Sequence, residues 1–172
     1  MTALVARRLA VVGADESFHQ ALRARCGLVP SQAAPGVRPG LAYCGREFRV
    51  YPSMKISDAI RFYSALNQTW NAGTLAGDLG VAGLDERFEV KRMKSAYQRA
   101  LVLAFALAAE PHALVVECGQ EFDQPAALAL LERAVARVPK TLVTYSGDAP
   151  PPAFFEAAVP AARFDLAEFE AA

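Results

Sequence analysis

The feature that most constrains the fold is a long apolar segment near the middle of the chain. Residues 95–111, SAYQRALVLAFALAAEP, are apolar nearly all round a helix and contain no glycine or proline before Pro111. Because a helix of this kind has no polar face for solvent, it belongs in the interior of a domain. The run ALVVE at 113–117 follows closely, and its unbroken apolar character is typical of a strand covered on both faces.

Short strand-like runs alternate with helical runs along the rest of the chain. The predicted strands are 9–13, 41–44, 113–117 and 141–145, and the predicted helices are 18–27, 57–68, 72–79, a helix from Lys94, and 124–138. Leu128, Leu131 and Val135 share one face of the last helix. Strands joined through helices by short links form parallel sheets, so the predicted fold class is α/β, a parallel sheet covered by helices.

The helices between the second and third strands predict a small helical lobe at about 50–92. Ser57 or Asp58 is the expected N-cap of its first helix, and Gly80 the expected end of its second. No linker divides the chain, so we expect one domain over 1–172. The tail at about 148–172 carries three consecutive prolines and then amphipathic pieces, and we expect it to pack loosely.

Composition excludes several classes of partner and site. Eighteen basic and eighteen acidic side chains cancel, so no whole-molecule field attracts nucleic acid, and we expect no nucleic-acid partner. The three cysteines form no CxxC pair, which favours reduced thiols in a cytoplasmic setting. No group of His, Cys and Asp has metal-ligand spacing, so no metal site is expected. The most apolar stretch is too short to span a bilayer.

Three segments carry a resemblance to a known family. YPSMKISDAIRFY, KSAYQRALVLAFALAAEPHALVVEC and TLVTYSGD resemble the middle and end of the ATPase domain of ABC transporters, with features of the bacterial export type. The resemblance covers about residues 8–148 and implies a P-loop NTPase-like fold. It also implies truncation at both ends, since family members carry an antiparallel edge sheet and an adenine-stacking aromatic before the phosphate loop.

The resemblance places the family's phosphate loop, GxxGxGK[ST], on residues 13–20. Gly13 keeps the first position, whereas the later glycines are replaced by Glu16 and Phe18, the lysine by His19 and the magnesium-binding hydroxyl by Gln20. At about 4 Å, a carboxylate and a phosphate repel by a few kcal/mol at a surface-type dielectric. We therefore expect this loop not to hold ATP in the family manner, and we expect His19, in a first helical turn, to be solvated.

The other functional positions of the family are also changed. The glutamine of the Q-loop corresponds to Arg46, the Walker B aspartate to Glu117, the general-base glutamate to Cys118, the switch histidine to Tyr145, and the signature loop to Met93, Lys94, Ser95, Ala96 and Tyr97. Losing one charge-stabilising group from such a site costs on the order of 10²- to 10³-fold in rate. We therefore interpret all these positions as vestigial and the chain as a pseudo-ATPase with no catalytic residue and no expected cofactor.

The segment from Phe48 to Leu66 keeps more of the family pattern. In the family, this region forms a groove that receives a short helix of the membrane permease. Phe48, Tyr51, Met54 and Phe62 are aromatic or flexible apolar residues suited to such a groove. They fit equally well as the core of the lobe itself, and both interpretations remain open.

The leading hypothesis is therefore a non-catalytic, structural or regulatory subunit of an export-type ABC transporter. It would be cytoplasmic and peripheral on the inner membrane, docked on a permease, on an intact ABC ATPase, or on both, as a homo- or heterodimer. A second hypothesis is a divergent subunit active with magnesium and ATP only in a heterodimer, through Lys94, Ser95 and Glu117. A third is a free-standing regulator that kept the fold alone.

Overall fold

The computed structural model describes residues 8–26, 40–46, 48–67, 69–146 and 151–165. The strands are β1 Arg8–Val12, β2 Leu41–Cys44, β3 Ala113–Cys118, β4 Lys140–Tyr145 and β5 Ala157–Pro160, and the helices are α1 Glu16–Arg25, α2 Ile56–Leu66, α3 Ala72–Ala82, α4 Ser95–Ala108 and α5 Pro125–Arg137. Short 3-10 turns lie at Val90–Arg92, Gln120–Asp123 and Ala161–Arg163. Gly27, the predicted end of the first helix, lies outside the described residues.

The strands form one parallel sheet in the order β2-β3-β4-β1-β5. Glu117 of β3 lies opposite Thr144 of β4, and Cys118 lies opposite Tyr145. Because the strands are parallel, their carboxyl ends meet at one edge, where α/β folds place their ligands. The predicted α/β class and the predicted parallel sheet are confirmed.

The central helix α4 is buried along its length, as its sequence predicts. Leu101, Leu103 and Phe105 are almost completely inaccessible to solvent. They belong to a hydrophobic cluster that also contains apolar side chains of α3, α5 and β3. The core therefore surrounds α4. Arg99, in the first half of this helix, binds backbone carbonyls at the carboxyl ends of β2 and β3. None of the helices in the described parts of the chain combines the length and apolarity that a membrane span requires.

The helical lobe contains α2 and α3, and the start of α2 differs from the prediction. Neither Ser57 nor Asp58 is the N-cap, because the helix begins at Ile56 with Lys55 as its cap and no side-chain capping bond. The first backbone N–H groups instead donate to carbonyl oxygens of the following loop, from Ile56 to Phe88 at 3.0 Å and from Ser57 to Glu86 at 2.9 Å. A tertiary contact thus replaces the local cap.

The second lobe helix also ends later than predicted. α3 continues through Gly80 to Ala82 and stops at Gly83, whose φ of +66° lies in the left-handed region that glycine adopts most readily. The extra turn buries Ala82 against the core. The same helix carries the buried Asp78, which pairs with Arg133 and Arg137 of α5 at 2.9 Å each and joins the lobe to the rest of the domain.

The described part of the tail, residues 151–165, adds an edge strand to the sheet, and each of its residues remains at least partly exposed. β5 pairs with β1 in parallel, with Leu9 opposite Ala157. Phe154 and Phe155 pack against the main core cluster. The prolines precede the strand rather than interrupt its pairing, except for Pro160 at its last position, where an edge strand tolerates a missing N–H. The ends of the predicted tail, 148–150 and 166–172, lie outside the described residues.

Candidate functional site

The turn after β1 leads directly into a helix whose first turn is already capped. Gly13 has a φ of +72°, and α1 begins at Glu16, two residues earlier than predicted, with Asp15 as its N-cap. Asp15 Oδ1 accepts hydrogen bonds from the backbone N–H of Phe18 and the hydroxyl of Ser17, both at 2.8 Å. The bond from Phe18 is the main reason that the pKa of Asp15 is lowered. An incoming phosphate would have to displace this carboxylate from the helix end.

The side chains predicted to face a nucleotide point to several different surroundings. Glu16 and Gln20 are exposed, and Glu16 accepts a hydrogen bond from Arg23 at 3.0 Å. The ring of Phe18 lies 6.0 Å from that of Phe164, which follows β5. Phe18 therefore packs against a residue beyond the edge strand β5. The side chains of Glu16, Phe18 and Gln20 do not converge on one ligand.

The resemblance places His19 at the position of the family's lysine. We expected this side chain to be solvated, but it is buried. It is 1% exposed, and its Nε2 forms a 3.0 Å hydrogen bond with the hydroxyl oxygen of Thr144 on β4. Burial lowers the pKa of His19, against the opposing attraction of Glu117, so the imidazole is held neutral near pH 7. A neutral ring bonded to β4 offers little of what a lysine ammonium offers to phosphates.

Glu117, which the resemblance places at the Walker B position, is 0% exposed and surrounded by donors of the chain itself. Arg23 of α1 binds it in a bidentate way, from Nε to Oε1 at 2.9 Å and from Nη2 to Oε2 at 2.8 Å. The hydroxyl of Tyr43 on β2 donates to Oε1, and the backbone N–H of Arg46 donates to Oε2 at 2.9 Å. We call Glu117 and its three partners the Glu117 cage.

The cage fixes the charge of the carboxylate and occupies its oxygen atoms. Burial alone would raise the pKa of Glu117, but the hydrogen bonds from Arg23, Arg46 and Tyr43 hold it below its ordinary value. A carboxylate has about four acceptor positions on two oxygens, and each oxygen here already accepts two bonds. The guanidinium of Arg23 thus supplies the positive charge that a magnesium ion would supply. The residues present do not fit a magnesium ion at Glu117.

Two further arginines organise the carboxyl ends of the strands. Arg46, at the Q-loop position, donates from Nη2 to the carbonyl of Cys118 at 2.9 Å. The buried Arg99 of α4 donates to the carbonyls of Cys44, Gly45 and Glu117 at 2.5–3.2 Å. Cys118 itself is buried, and desolvation raises the pKa of its thiol well above its ordinary range. A buried, protonated thiol cannot serve as a general base or a nucleophile.

An open cavity of about 1340 Å³ lies beside the cage, between the amino-terminal ends of α4 and α5. It brings together Arg46, Cys118 and Tyr145 with the predicted signature-loop residues Lys94, Ser95, Ala96 and Tyr97; Met93 is not among its lining residues. None of residues 13–20 lines it. The structure therefore unites part of the predicted site but leaves the phosphate-loop positions apart from the cavity.

The predicted partner interface is only partly at the surface. Phe48 is 6% exposed and packs on Tyr63, with ring centroids 6.1 Å apart, so it belongs to the core. Met54 is half-buried and also packs against the core. Tyr51 and Phe62 are 56% and 38% exposed, with their rings 5.9 Å apart. Of the four predicted residues, these two alone offer an aromatic surface to a partner.

Two of the three partners of Glu117, Arg23 and Tyr43, were not predicted from the sequence. Arg23 follows Glu16 by seven positions, two helical turns, so the two lie on one face of α1. Tyr43 is the only residue of the run LAYC with a hydroxyl group. A buried phenol needs a hydrogen-bond partner. These signals indicate that each side chain needs a partner, but neither identifies Glu117.

The chain resembles known proteins in structure. No protein-family model and no curated protein matches the chain. Among solved structures, a putative ATP-binding protein of an ABC transporter from Pyrococcus furiosus matches with a TM-score of 0.68 at 10% identity, over 91% of this chain and 86% of that one. A dimeric ATP-binding cassette bound to ADP and Pi matches with a TM-score of 0.63 at 15% identity, over 93% and 83%.

A third neighbour belongs to an assembled transporter. It is cbiO1 from Clostridium perfringens, part of the ABC transporter complex cbiONQ, with a TM-score of 0.57 at 10% identity over 90% of this chain and 73% of that one. At sequence identities of 10–15%, these matches indicate a shared fold and not a shared activity. The parallel sheet, the buried α4 and the neighbouring structures agree with the resemblance in the sequence: the chain has the fold of the ATP-binding domain of ABC transporters.

Proposed function

We propose that the chain is a non-catalytic subunit of an export-type ABC transporter, which it serves as a structural or regulatory component. In this role it lies at the cytoplasmic face of the inner membrane and binds a permease, an intact ABC ATPase, or both. The fold and the assembled relatives support a transporter component. The loss of nucleotide chemistry rests on the site itself.

The observation that carries this proposal is the Glu117 cage. A magnesium ion needs a free carboxylate oxygen, and both oxygens of Glu117 already accept bonds from Arg23, Tyr43 and the Arg46 backbone. At the same time, Asp15 occupies the N-terminus of α1, where a phosphate would bind. Metal and phosphate would each have to break existing bonds; residues 13–20 contain no lysine that would compensate, and their one side-chain hydroxyl, that of Ser17, donates to Asp15.

Thermal unfolding with and without magnesium and ATP tests the proposal. A ligand at 100 times its Kd stabilises a protein by about 2.7 kcal/mol, which raises the Tm of a domain of this size by about 5–10 °C. We expect no such shift for this chain and no phosphate release in a turnover assay. A Tm shift of several degrees that requires both magnesium and ATP would contradict the proposal.

The partner surface has its own test in the co-expressed transporter. The exposed aromatics Tyr51 and Phe62 are replaced by serine, and Phe88→Ser, at a residue of similar exposure elsewhere on the lobe, is the control. We expect the Tyr51 and Phe62 variants to lose co-purification with the permease while the control retains it. Equal retention by all three would exclude this surface as the docking site.

A second function is favoured by the exposed end of α4. Lys94 and Ser95 lie at that end, where no side chain caps the helix, so they are free to approach a nucleotide held by a partner subunit. In this alternative, the chain completes the site of an intact ATPase in a heterodimer. It predicts that the chain stimulates its partner's turnover and that Lys94→Glu abolishes the stimulation. Unchanged turnover of the partner would exclude it.

A further inference from the structure

We propose that Glu117, Tyr43 and the backbone N–H of Arg46 form a binding site for a guanidinium group, which the chain fills with its own Arg23. This intramolecular contact blocks the site, so a guanidinium-bearing ligand enters only where Arg23 is withdrawn or absent. The inference concerns cation binding at Glu117 and does not depend on whether the chain serves a transporter.

The carboxylate of Glu117 is oriented to receive a planar cation. Its two oxygens each accept one N–H of Arg23, from Nε at 2.9 Å and from Nη2 at 2.8 Å. Such paired, parallel bonds match the fork of a guanidinium, whereas an ammonium ion presents no planar pair of donors. Glu117 is also 0% exposed, so the bound cation pairs with a carboxylate that water does not reach. The site therefore selects a guanidinium by shape as well as by charge.

The remaining contacts of Glu117 hold its carboxylate in place without Arg23. The hydroxyl of Tyr43 donates to Oε1, and the backbone N–H of Arg46 donates to Oε2 at 2.9 Å. Gly45 leaves room for the ring of Tyr43, because a Cβ at this position would lie only 2.9 Å from Cε1 of that ring. These groups belong to β2, β3 and the residues just after β2, so the site is built into the sheet and α1 contributes only the cation.

Helix α1, which carries Arg23, has a small buried face. Of its ten residues, only His19 and Leu22 are buried. The side chain of Arg23 itself is 20% exposed, although its partner Glu117 is not exposed at all. Segments that bury few apolar side chains open locally at a low free energy. The helix that supplies the cation is therefore also an element that can withdraw it.

The test empties the site in the full chain with Arg23→Ala and refills it with ethylguanidinium, which restores the atoms that the substitution removes beyond Cβ. At ten times its Kd, we expect this probe to raise the Tm of Arg23→Ala by about 3–6 °C. The rise should saturate with the concentration of the probe. Ethylammonium has the same stem and charge but makes one bond to the carboxylate instead of two, so it should bind at least about tenfold more weakly.

Three control proteins isolate the site. Arg61→Ala removes an arginine whose exposed pair with Asp58 spans 3.8 Å, and the wild type holds Arg23 in the site at a high effective concentration. Neither should gain stability from ethylguanidinium. Arg23→Ala, Glu117→Gln should also fail to respond, because the carboxylate is gone. If Arg23→Ala does not fold alone, circular dichroism measures the recovery of the folded chain as the probe is added.

The absence of a saturable response in Arg23→Ala, or an equal response in Arg61→Ala or with ethylammonium, would overturn the inference. Neither result creates a site for ATP in the wild type, so neither contradicts the proposed function. A rise in Tm with magnesium but not with ethylguanidinium would make this a divalent-cation site and would also overturn the inference. The same response to magnesium in the wild type would contradict the proposed function as well.

Discussion

Replacing Arg23 by methionine tests how much the Glu117 cage contributes to the free energy of unfolding. Methionine keeps most of the length of the arginine side chain and removes its charge and its donors. Glu117 would remain fully buried, with the hydroxyl of Tyr43 and the backbone N–H of Arg46 as its remaining donors. Breaking a buried pair by removing one partner destabilises a protein by about 3–5 kcal/mol, because the other charge stays buried.

The structure limits the magnitude of this effect. Glu117 can take up a proton instead of remaining ionised, and this costs about 1.4 kcal/mol for each pH unit above its ordinary pKa. The ordinary pKa of a glutamate is 4.5, so at pH 7 the loss is about 3.5 kcal/mol, equivalent to a fall in Tm of about 7–14 °C for a domain of this size. Because protonation becomes easier in acid, the destabilisation must shrink as the pH falls from 7 to 5.

Urea denaturation followed by circular dichroism at several pH values measures both effects. Arg61→Met is the matched control, since Arg61 forms only a 3.8 Å exposed pair with Asp58 and should change the free energy of unfolding by less than about 0.5 kcal/mol. The double variant Arg23→Met, Glu117→Gln should recover most of the loss, because the buried charge is gone. A loss below about 1 kcal/mol, or one that does not vary with pH, would refute the reasoning.

Three further predictions concern the pH response and the helical lobe. The folded-state pKa of His19 is lowered by burial, so the unfolded chain takes up the proton first. The free energy of unfolding should fall as the pH drops below about 6.5, by at most about 1.4 kcal/mol per pH unit, and His19→Gln should abolish this slope in urea titrations; an unchanged slope would exclude His19 as its source. Asp78→Asn should destabilise the chain by about 2 kcal/mol through its lost bonds to two arginines, whereas the exposed Asp58→Asn should be near neutral; equal effects would contradict the buried pairing. Gly80→Ala should stabilise α3 by about 0.5–1 kcal/mol, since its Cβ meets open space, and Gly83→Ala should cost about 1 kcal/mol at a φ of +66°; opposite signs in thermal melts would refute the assigned helix end.

The first four strands and the buried central helix follow from local sequence patterns, whereas β5 was not predicted. LAYC at 41–44 coincides with β2, and the apolar run after Lys94 forms the buried α4. An element that is buried on all sides needs apolar residues at nearly every position, so the sequence alone identifies it. The start of α2 could not be predicted in this way. Its first N–H groups bind carbonyls of the loop at 86–88, and no local capping residue encodes a contact with a later loop.

The candidate site shows the same limit more sharply. Glu117 and Arg46 could be identified as site positions through the family resemblance, and the structure brings them together. Arg23, however, lies 94 residues away from Glu117 in the chain, and its role depends on how α1 packs on the sheet. The sequence predicts that the phosphate loop has lost its lysine, but it cannot predict that the chain's own arginine neutralises the Walker B carboxylate.

Calorimetric titration of magnesium and ATP into the purified chain tests the central claim most directly. An intact ABC cassette under identical conditions serves as the positive control. If Asp15 and the Glu117 cage occupy the positions of phosphate and metal, no saturable heat of binding should be observed at millimolar ATP. One-to-one binding with a micromolar Kd that disappears without magnesium would contradict the account.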